Sequence, residues 1–333
     1  MNALGRRARV VAAVVAVGVA TTVCCRAYRN YRADMDEAYA AVAGADRETV
    51  ETSVGTVEYR TLAGDVPVLV SHGIVGGFDQ ALQTGKNLFD TDITLIGASR
   101  FGYLGSELPA EATPEKQARA YGELLDELGV DETIIAGTSA GGAPAIKFAL
   151  DYPHRTRALV LIGSTAPSDS ELAGPTGPPH EILRDPIFWF LVNHASLVFF
   201  RLFGLNPADY ESASLDERRR VEALLETLVP VEPRKLGIYN DECVTNTVMT
   251  DHYDQYDLEN LSAPTLIIHA EDDPMASFGD AQQMAERIPD ATFQRYETGG
   301  HLLFGHSEKI RQTVTDFVAQ SSEVRSGSET DES

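Results

Sequence analysis

Residues 133–141 read Thr-Ile-Ile-Ala-Gly-Thr-Ser-Ala-Gly, and this stretch decides the fold prediction. Its first four residues have the apolar, β-branched character of a buried parallel strand. Residues 142–150, which read Gly-Ala-Pro-Ala-Ile-Lys-Phe-Ala-Leu, predict a helix with its proline in the first turn. A strand, a sharp Gly-x-Ser-x-Gly turn and a helix form the sequence context of a nucleophile elbow.

The small residues of this turn each have a physical function. Ser139 has to sit at the tip in a strained backbone conformation, which holds its hydroxyl above the sheet. Gly137 and Gly141 let the strand and the helix pass without a side-chain clash. The helix N-terminus and the backbone N–H of Ala140 can then stabilise negative charge near the hydroxyl. The alternative is an ordinary Gly- and Ser-rich turn, which the rest of the chain has to exclude.

The composition is that of a folded and strongly acidic protein. The chain has 333 residues, of which 43% are hydrophobic, so a full core is expected and global disorder is not. Its 50 Asp and Glu residues against 27 Lys and Arg give a net charge of −23. This charge argues against nucleic acid as a partner, because phosphate contacts need clustered basic side chains. It also suggests a halophilic source, since high salt would screen the self-repulsion of such a surface.

The cysteines and short motifs give no indication of a metal or a cofactor. Cys24 and Cys25 end an apolar N-terminal run and leave Cys243 without an evident partner. The sequence contains no disulfide framework, no metal-ligand spacing and no nucleotide-binding motif. We therefore expect neither a metal ion nor a cofactor.

Residues 1–35 are expected to lie outside the folded domain. The run from Val10 to Cys25 is uncharged, and arginines flank it on both sides. As a helix it would be about 24 Å long, and arginine side chains can snorkel to match a bilayer core of about 30 Å. We predict a membrane anchor, so that the protein is membrane-associated through a single N-terminal helix. The alternatives are a cleaved signal peptide, which would give a secreted protein, and a lipoprotein signal.

The remaining chain divides into a core with an insertion. Strand and helix signals alternate over residues 36–167, which predicts an α/β fold with a mostly parallel central sheet flanked by helices. Residues 168–261 break this pattern and predict a helical insertion rich in aromatic residues. Residues 262–320 return to the strand–helix pattern. The polar, acidic residues 321–333 are expected to be disordered.

Three further turns follow apolar runs of strand length, and parallel strands bring such turns to one edge of a sheet. The first begins His72-Gly73 and is Gly-rich, so it can present backbone N–H groups, and Gly73 is a candidate substrate contact. The second is the acidic turn at residues 271–274, and the third reads Gly-Gly-His at residues 299–301. Serine, acid and histidine thus occur in that order, each at the carboxyl end of a strand.

This set of motifs resembles the α/β-hydrolase superfamily, and the resemblance covers about residues 50–320. The four motifs are similar to those of the esterase and lipase-like branch. That branch implies an α/β-hydrolase fold with a helical cap inserted between strands six and seven. It also implies hydrolysis of a small-molecule apolar ester by a serine nucleophile. Carbon–carbon or amide hydrolysis within the same fold, or a triad-bearing ligand receptor with little turnover, are the alternatives.

The resemblance implies a catalytic triad of Ser139, Asp273 and His301. A serine hydroxyl is inert until a base takes its proton, and His301 can do so near neutral pH. Asp273 would fix the imidazole tautomer and stabilise the imidazolium. The family pattern selects Asp273 over Asp272, although Ala270 replaces the usual glycine of that pattern. For Asp272 the expectation is a solvated turn acid.

The resemblance also implies an oxyanion hole and assigns the other histidines. The two N–H donors are expected at Ala140 and Ile74, each directly after its motif. His72 is similar to the structural histidine behind the oxyanion loop. His269 is expected in the core and His306 at a helix cap or on the surface.

The aromatic insertion has two interpretations. As a cap, its apolar underside would form an acyl- or aryl-binding pocket, with Phe188 and Trp189 as candidate substrate contacts. As a satellite core, it would simply pack on the sheet. The aromatic residues concerned are Phe188, Trp189, Phe190, Phe199, Phe200 and Phe203.

Overall fold

The computed structural model separates into two compact units, Met1–Ala45 and Asp46–Ser333. The residues it describes are 3–44, 46–89, 92–169, 177–195 and 200–331.

The described residues of the first unit form one helix, α1 (Ala3–Gly44). From Val11 onward this helix is long and apolar enough to cross a membrane, and its mean hydropathy reaches 1.8. A signal sequence would meet the same criterion. The helix continues past residue 35, where the sequence placed the boundary, because residues 36–43 contain no Gly or Pro. The second unit accordingly begins at Asp46.

The described part of the second unit contains one eight-stranded sheet. Its strands are β1 (Glu48–Thr52), β2 (Gly55–Leu62), β3 (Val66–Ser71), β4 (Ile93–Ala98), β5 (Thr133–Thr138), β6 (Thr156–Ile162), β7 (Thr265–Ala270) and β8 (Ala291–Tyr296). They lie in the order β1-β2-β4-β3-β5-β6-β7-β8. β1 and β2 pair antiparallel, as do β2 and β4, whereas all other pairs are parallel. The predicted mostly parallel sheet is thus confirmed.

Helices cover both faces of this sheet, which explains why its central strands are continuously apolar. In β5 every residue up to Gly137 is buried. The helices are α2 (Phe78–Leu88), α3 (Pro114–Glu127), α4 (Gly142–Asp151), α5 (Asp185–His194), α6 (Pro207–Ser212), α7 (Leu215–Glu226), α8 (Lys235–Asn240), α9 (Asn246–Asp251), α10 (Phe278–Arg287) and α11 (Ser307–Asp331). α3 begins where the sequence predicts: Pro114 occupies its first turn and the Thr113 side chain accepts a hydrogen bond from the backbone N–H of Lys116.

The chain between β6 and β7 is mainly helical, and its described residues are called the cap below. It contains α5 to α9. Many of its buried apolar residues form one cluster with residues from the carboxyl edge of the sheet, whereas Met249, Tyr256, Leu258 and Leu261 belong to the main core. The cap members include Leu183, Phe188, Val192, Phe200, Leu205, Val221 and Leu225, and the core contributes Val75, Tyr103 and Phe304. Burial of this shared cluster holds the cap over the edge where the polar turns lie.

The C-terminal tail differs from the expectation of disorder. The last helix, α11, extends to Asp331 rather than ending near residue 320. Residues 321–331 contain no proline, and Gly327 is their one strong helix breaker. A helix already nucleated by the packed residues before 321 can therefore propagate through this polar sequence.

Candidate active site

Ser139 occupies the tip of a turn that only small neighbours permit. Its φ is 50°, a left-handed value that costs a non-glycine residue about 1–3 kcal/mol. A Cβ on Gly137 would lie 2.9 Å from the Cβ of Ala145, and a Cβ on Gly141 would lie 2.2 Å from the carbonyl oxygen of Ser71. The strand, the turn and α4 therefore approach as closely as the Gly-x-Ser-x-Gly pattern predicts. The strain is the cost of holding the Ser139 side chain above the sheet.

His301 and Asp273 are in direct contact. His301 Nδ1 lies 2.9 Å from Asp273 Oδ2 and 3.1 Å from Oδ1. The Asp273 side chain is only 1% exposed. Its Oδ1 also accepts hydrogen bonds from the backbone N–H groups of Met275 and Ala276, at 2.8 and 3.0 Å. The carboxylate is thus fixed by the turn that carries it and in turn orients the imidazole.

The strand order brings the three predicted triad members to one edge. Ser139 follows β5, Asp273 follows β7 and His301 follows β8. In the sheet β5 neighbours β6, β6 neighbours β7, and β7 neighbours β8. Gly163, directly after β6, lies next to both the histidine and the acid. A Cβ there would be 3.1 Å from the His301 carbonyl oxygen and 3.7 Å from Asp273 Oδ2. Its φ of 49° also favours glycine. Gly163 therefore leaves room for the histidine and the acid beside the serine turn.

The two adjacent acids contact different groups. Asp272 is exposed, and it accepts hydrogen bonds from the backbone N–H groups of Gly300 at 2.8 Å and Gly299 at 3.3 Å. Asp272 thereby anchors the turn that carries His301, whereas Asp273 contacts the imidazole itself. Sequence reasoning missed this anchoring function because it regarded Asp272 as solvated.

A residue of the cap also holds His301. The backbone N–H of His301 donates to the carbonyl oxygen of Phe203 at 2.8 Å. The rings of Phe203 and His301 stack with their centroids 6.1 Å apart. The imidazole is therefore framed by an apolar cap residue on one side and the Asp273 carboxylate on another.

Electrostatics keep Asp273 ionised despite its burial. Burial raises the pKa of this carboxyl, but hydrogen bonds from His269 and His301 lower it more, so the pKa lies below its ordinary value. His269 is fully buried in β7, as predicted, and its Nε2 lies 3.1 Å from the carbonyl oxygen of Ala276 and 3.4 Å from Asp273 Oδ2. The contact between His269 and the acid was not predicted. A spacing of four residues across a strand end was the one signal of it.

The loop at residues 72–77 follows β3 and carries the predicted donor Ile74. Its second residue, Gly73, approaches the serine turn so closely that a Cβ would lie 3.1 Å from the Cβ of Ser139. The Gly73 N–H donates to the Oε1 atom of the buried Gln80 at 2.9 Å. Val75 has a φ of 62°, so the loop turns sharply after Ile74. We call residues 72–77 the oxyanion loop, after the oxyanion donor that the sequence predicts at Ile74.

His72 is structural, as the sequence indicated. Its Nε2 accepts a hydrogen bond from the backbone N–H of Arg100 at 2.9 Å, so its Nδ1 carries the proton and donates to the carbonyl oxygen of Gly73 at 2.7 Å. Burial, reinforced by the nearby Arg100 charge, holds the pKa of His72 well below its usual range. A neutral imidazole with both nitrogens engaged cannot act as a base. His306 stacks on Tyr296 immediately before α11, at the helix start.

The predicted substrate contacts of the cap lie in its interior. Phe188 and Trp189 are 1% and 5% exposed, and Phe188 belongs to the shared apolar cluster. Phe199 lies outside the described residues. Partly buried residues that flank the site pack against the same cluster: Ile74, Phe203 and Leu302. Of these, Phe203 stacks on His301, Leu302 follows His301 in the chain, and Ile74 follows Gly73, whereas Phe188 and Trp189 are buried in the cap.

The family profile described as "alpha/beta hydrolase fold" matches residues 66–306. The chain belongs to the α/β-hydrolase fold family. The match includes the serine turn, the acid turn and the Gly-Gly-His turn, and it spans the cap. The chain is therefore a hydrolase of this fold.

Relatives and solved structures agree with this assignment. The chain is 28% identical over 289 residues to 2-hydroxymuconate semialdehyde hydrolase of Pseudomonas putida, covering 80% of this chain and 94% of that one. It is 28% identical over 203 residues to pimeloyl-[acyl-carrier protein] methyl ester esterase of Aromatoleum aromaticum, covering 59% and 77%. The structure of an alpha/beta hydrolase fold protein from Nakamurella multipartita matches with a TM-score of 0.71 at 24% identity, covering 82% and 99%.

The lowered pKa of Asp273 predicts a pH-dependent stability. Because the folded pKa lies below the ordinary 3.8, ionisation stabilises the fold above that pH, and this contribution is lost as the pH falls through the folded value. The difference in unfolding temperature between the wild type and Asp273→Asn should be constant from about pH 7 to 5 and shrink below about pH 4. Differential scanning fluorimetry at each pH measures the two unfolding temperatures. Glu286→Gln, at an exposed position of α10, is the control, and a difference that widens in acid would contradict the prediction.

Proposed function

We propose that this chain is a serine hydrolase that cleaves carboxylic esters with apolar acyl or aryl groups. The observation that carries the proposal is the 2.9 Å contact of His301 with the buried Asp273, at the same edge of the sheet as the strained turn at Ser139. With Nδ1 held by the carboxylate, the other ring nitrogen, Nε2, is available to a hydroxyl proton.

In the first half of the reaction Ser139 Oγ attacks the ester carbonyl carbon. His301 Nε2 takes the hydroxyl proton as the new C–O bond forms. The tetrahedral intermediate then collapses, its bond to the alcohol oxygen breaks, and His301 returns the proton to that oxygen. Asp273 stabilises the transient imidazolium because it stays ionised. The products of this half are the free alcohol and an acyl ester on Ser139.

In the second half a water molecule replaces the alcohol. His301 takes one water proton while the water oxygen attacks the acyl carbon, and the Ser139 oxygen leaves with that proton. Backbone N–H groups of Ile74 and Ala140 would stabilise both oxyanions, and one such donor is worth about 3–4 kcal/mol in the transition state. The carboxylic acid product then leaves a regenerated serine.

Two relatives favour carbon–carbon hydrolysis as the second candidate function. Their names describe a 2-hydroxymuconate semialdehyde and a 2-hydroxy-6-oxononadienedioate, which are oxo compounds without an ester. A panel of p-nitrophenyl esters of increasing chain length and a 2-hydroxy-6-oxo-dienoate, assayed side by side at high salt, separates the two functions. Multiple turnovers of an ester exclude a ligand receptor.

The triad assignment predicts the effect of removing each group. Ser139→Ala, His301→Ala and Asp273→Asn should each lower kcat for ester hydrolysis by about 10³-fold or more, and the losses should not add, since the three groups act as one unit. Asp272→Asn is the matched control and should retain most activity, because its amide oxygen can still accept from the glycine turn. An inactive Asp272→Asn with an active Asp273→Asn would show that the acid is wrongly assigned.

The apolar boundary of the site predicts the acyl preference. Each methylene that the pocket removes from water contributes about 0.8 kcal/mol, so kcat/KM should rise about fourfold per methylene until the pocket is full. A charged ester of equal length, the p-nitrophenyl monoester of succinic acid, is the comparison for the butyrate and should be a poor substrate. A strong preference for acetate or for the charged ester would contradict the proposal.

We further propose that the N-terminal helix tethers the hydrolase to a membrane. The full-length protein should then sediment with membranes and resist a high-salt wash, which removes electrostatic contacts. A chain that begins near Asp34 should stay in the supernatant with equal activity, because every proposed site residue lies beyond residue 70. N-terminal sequencing that starts after the apolar run, with all activity in the soluble fraction, would instead show a cleaved signal.

A further inference from the structure

A buried arginine of the cap holds the oxyanion loop from outside. Arg234 is fully buried and uses all three guanidinium nitrogens. Its Nη1 donates to the carbonyl oxygen of Gly76 at 2.6 Å, and its Nη1 and Nη2 bind the Asp79 carboxylate at 3.0 and 2.6 Å. Its Nε donates to the carbonyl oxygen of Pro230, within the cap. One side chain thus joins the cap to the end of the loop and to the first turn of α2.

On its other side, the end of this loop packs against the buried side chain of His72, the first residue of the loop. A Cβ on Gly76 would lie 2.4 Å from His72 Nδ1, and a Cβ on Gly77 would lie 2.8 Å from Arg234 Nη1. The end of the oxyanion loop therefore passes through a slot between a core histidine and a cap arginine, with no space for a side chain. Ile74 lies between this slot and Gly73, which contacts the serine turn.

A second buried pair fixes where the cap sits. Arg100, after β4, binds the Asp241 carboxylate of the cap through both terminal nitrogens, and the Tyr103 hydroxyl donates to the same carboxylate. Burial and the Asp241 charge raise the pKa of Tyr103 well above its ordinary value, so the phenol stays a donor. The charges are reversed relative to the first pair: the core supplies the cation here and the anion, Asp79, there. Because the two pairs have opposite polarity, they match only when the cap docks on the core in this position.

We propose that Arg234 and Asp79 form a positioning pair for the oxyanion hole, so that the donor at Ile74 is correctly placed only while the cap is docked. The inference rests on the proposed serine hydrolase function and extends it to the cap. Burying an ion pair brings little net stability, because desolvation offsets the attraction. What the pair supplies is geometry: a bidentate carboxylate contact plus a carbonyl contact fixes the loop in direction as well as distance.

The test compares variants of the pair with a matched pair elsewhere. Arg234→Gln, Arg234→Lys and Asp79→Asn alter the positioning pair in the full-length enzyme. Arg287→Gln removes another bidentate contact, to Glu259, which lies near the amino ends of β7 and β8 and therefore away from the carboxyl edge that carries the oxyanion loop. Each variant is assayed with p-nitrophenyl butyrate for kcat and KM, with butylboronic acid as an oxyanion mimic for affinity, and by thermal unfolding.

We expect the pair variants to lose kcat about 10- to 100-fold, as for other groups that position a catalytic centre, with KM within about twofold. Boronic acid affinity should fall in parallel with kcat. The double variant of Arg234 and Asp79 should lose no more than either single variant, since both changes release the same loop. Arg234→Lys keeps the charge without the planar fork and should recover only part of the loss. Arg287→Gln should keep wild-type kcat and affinity.

Hydrogen exchange gives a readout that needs no catalysis. The amides of residues 73–77 should exchange faster in Arg234→Gln than in the wild type. In Arg287→Gln their exchange rates should equal those of the wild type. Wild-type kcat, boronic acid affinity and loop exchange in the pair variants would overturn the inference, as would losses that merely follow the unfolded fraction. Failure of the proposed function is distinct: the wild type would then hydrolyse no ester while the loop exchange still responded to Arg234→Gln.

Discussion

The structure depends on one close backbone contact, the approach of Gly141 to the carbonyl oxygen of Ser71. Gly141 has no Cβ, so the serine turn can rest directly on the end of β3. A Cβ at this position would lie 2.2 Å from that oxygen. This contact joins the start of α4 to the start of the oxyanion loop. It brings Gly73 beside Ser139 and leaves the strained φ of 50° as the conformation that fits. A larger side chain at either glycine would separate the proposed nucleophile from the proposed donor.

Buried charge is the second organising feature of the site. The side chains of Asp273, Arg100 and Arg234 are buried, and each forms hydrogen bonds to a charged or titratable partner: His301, Asp241 and Asp79 respectively. Such matching demands fixed geometry, since an unpaired charge in the same place would cost several kcal/mol.

Sequence reasoning succeeded where the signal was local. The central strands β3 to β7 could be predicted from their apolar runs, and parallel pairing then brings the turns that carry Ser139, Asp273 and His301 to one edge. It failed where the partner lies far along the chain: nothing near Asp79 indicates Arg234, which folds back from 155 residues away. The helical continuation of α11 was missed because the polar composition of residues 321–331 was taken as a sign of disorder, although this segment contains no proline.

The cap shows why aromatic composition predicts a region but not its contacts. A helix with apolar residues on most of its surface has to bury some of them, and the sequence of α5 does not say which face meets the core. The structure buries Phe188 and Trp189 inside the cap while Phe190 is 52% exposed. Partly buried apolar residues adjoin the predicted triad instead: Phe203 stacks on His301, Leu302 follows His301 in the chain, and Ile74 lies in the oxyanion loop. The hydrogen bond from the His301 N–H to the Phe203 carbonyl oxygen holds the cap at this place. The proposed acyl specificity would therefore depend on how the cap is docked as well as on which aromatic residues it contains.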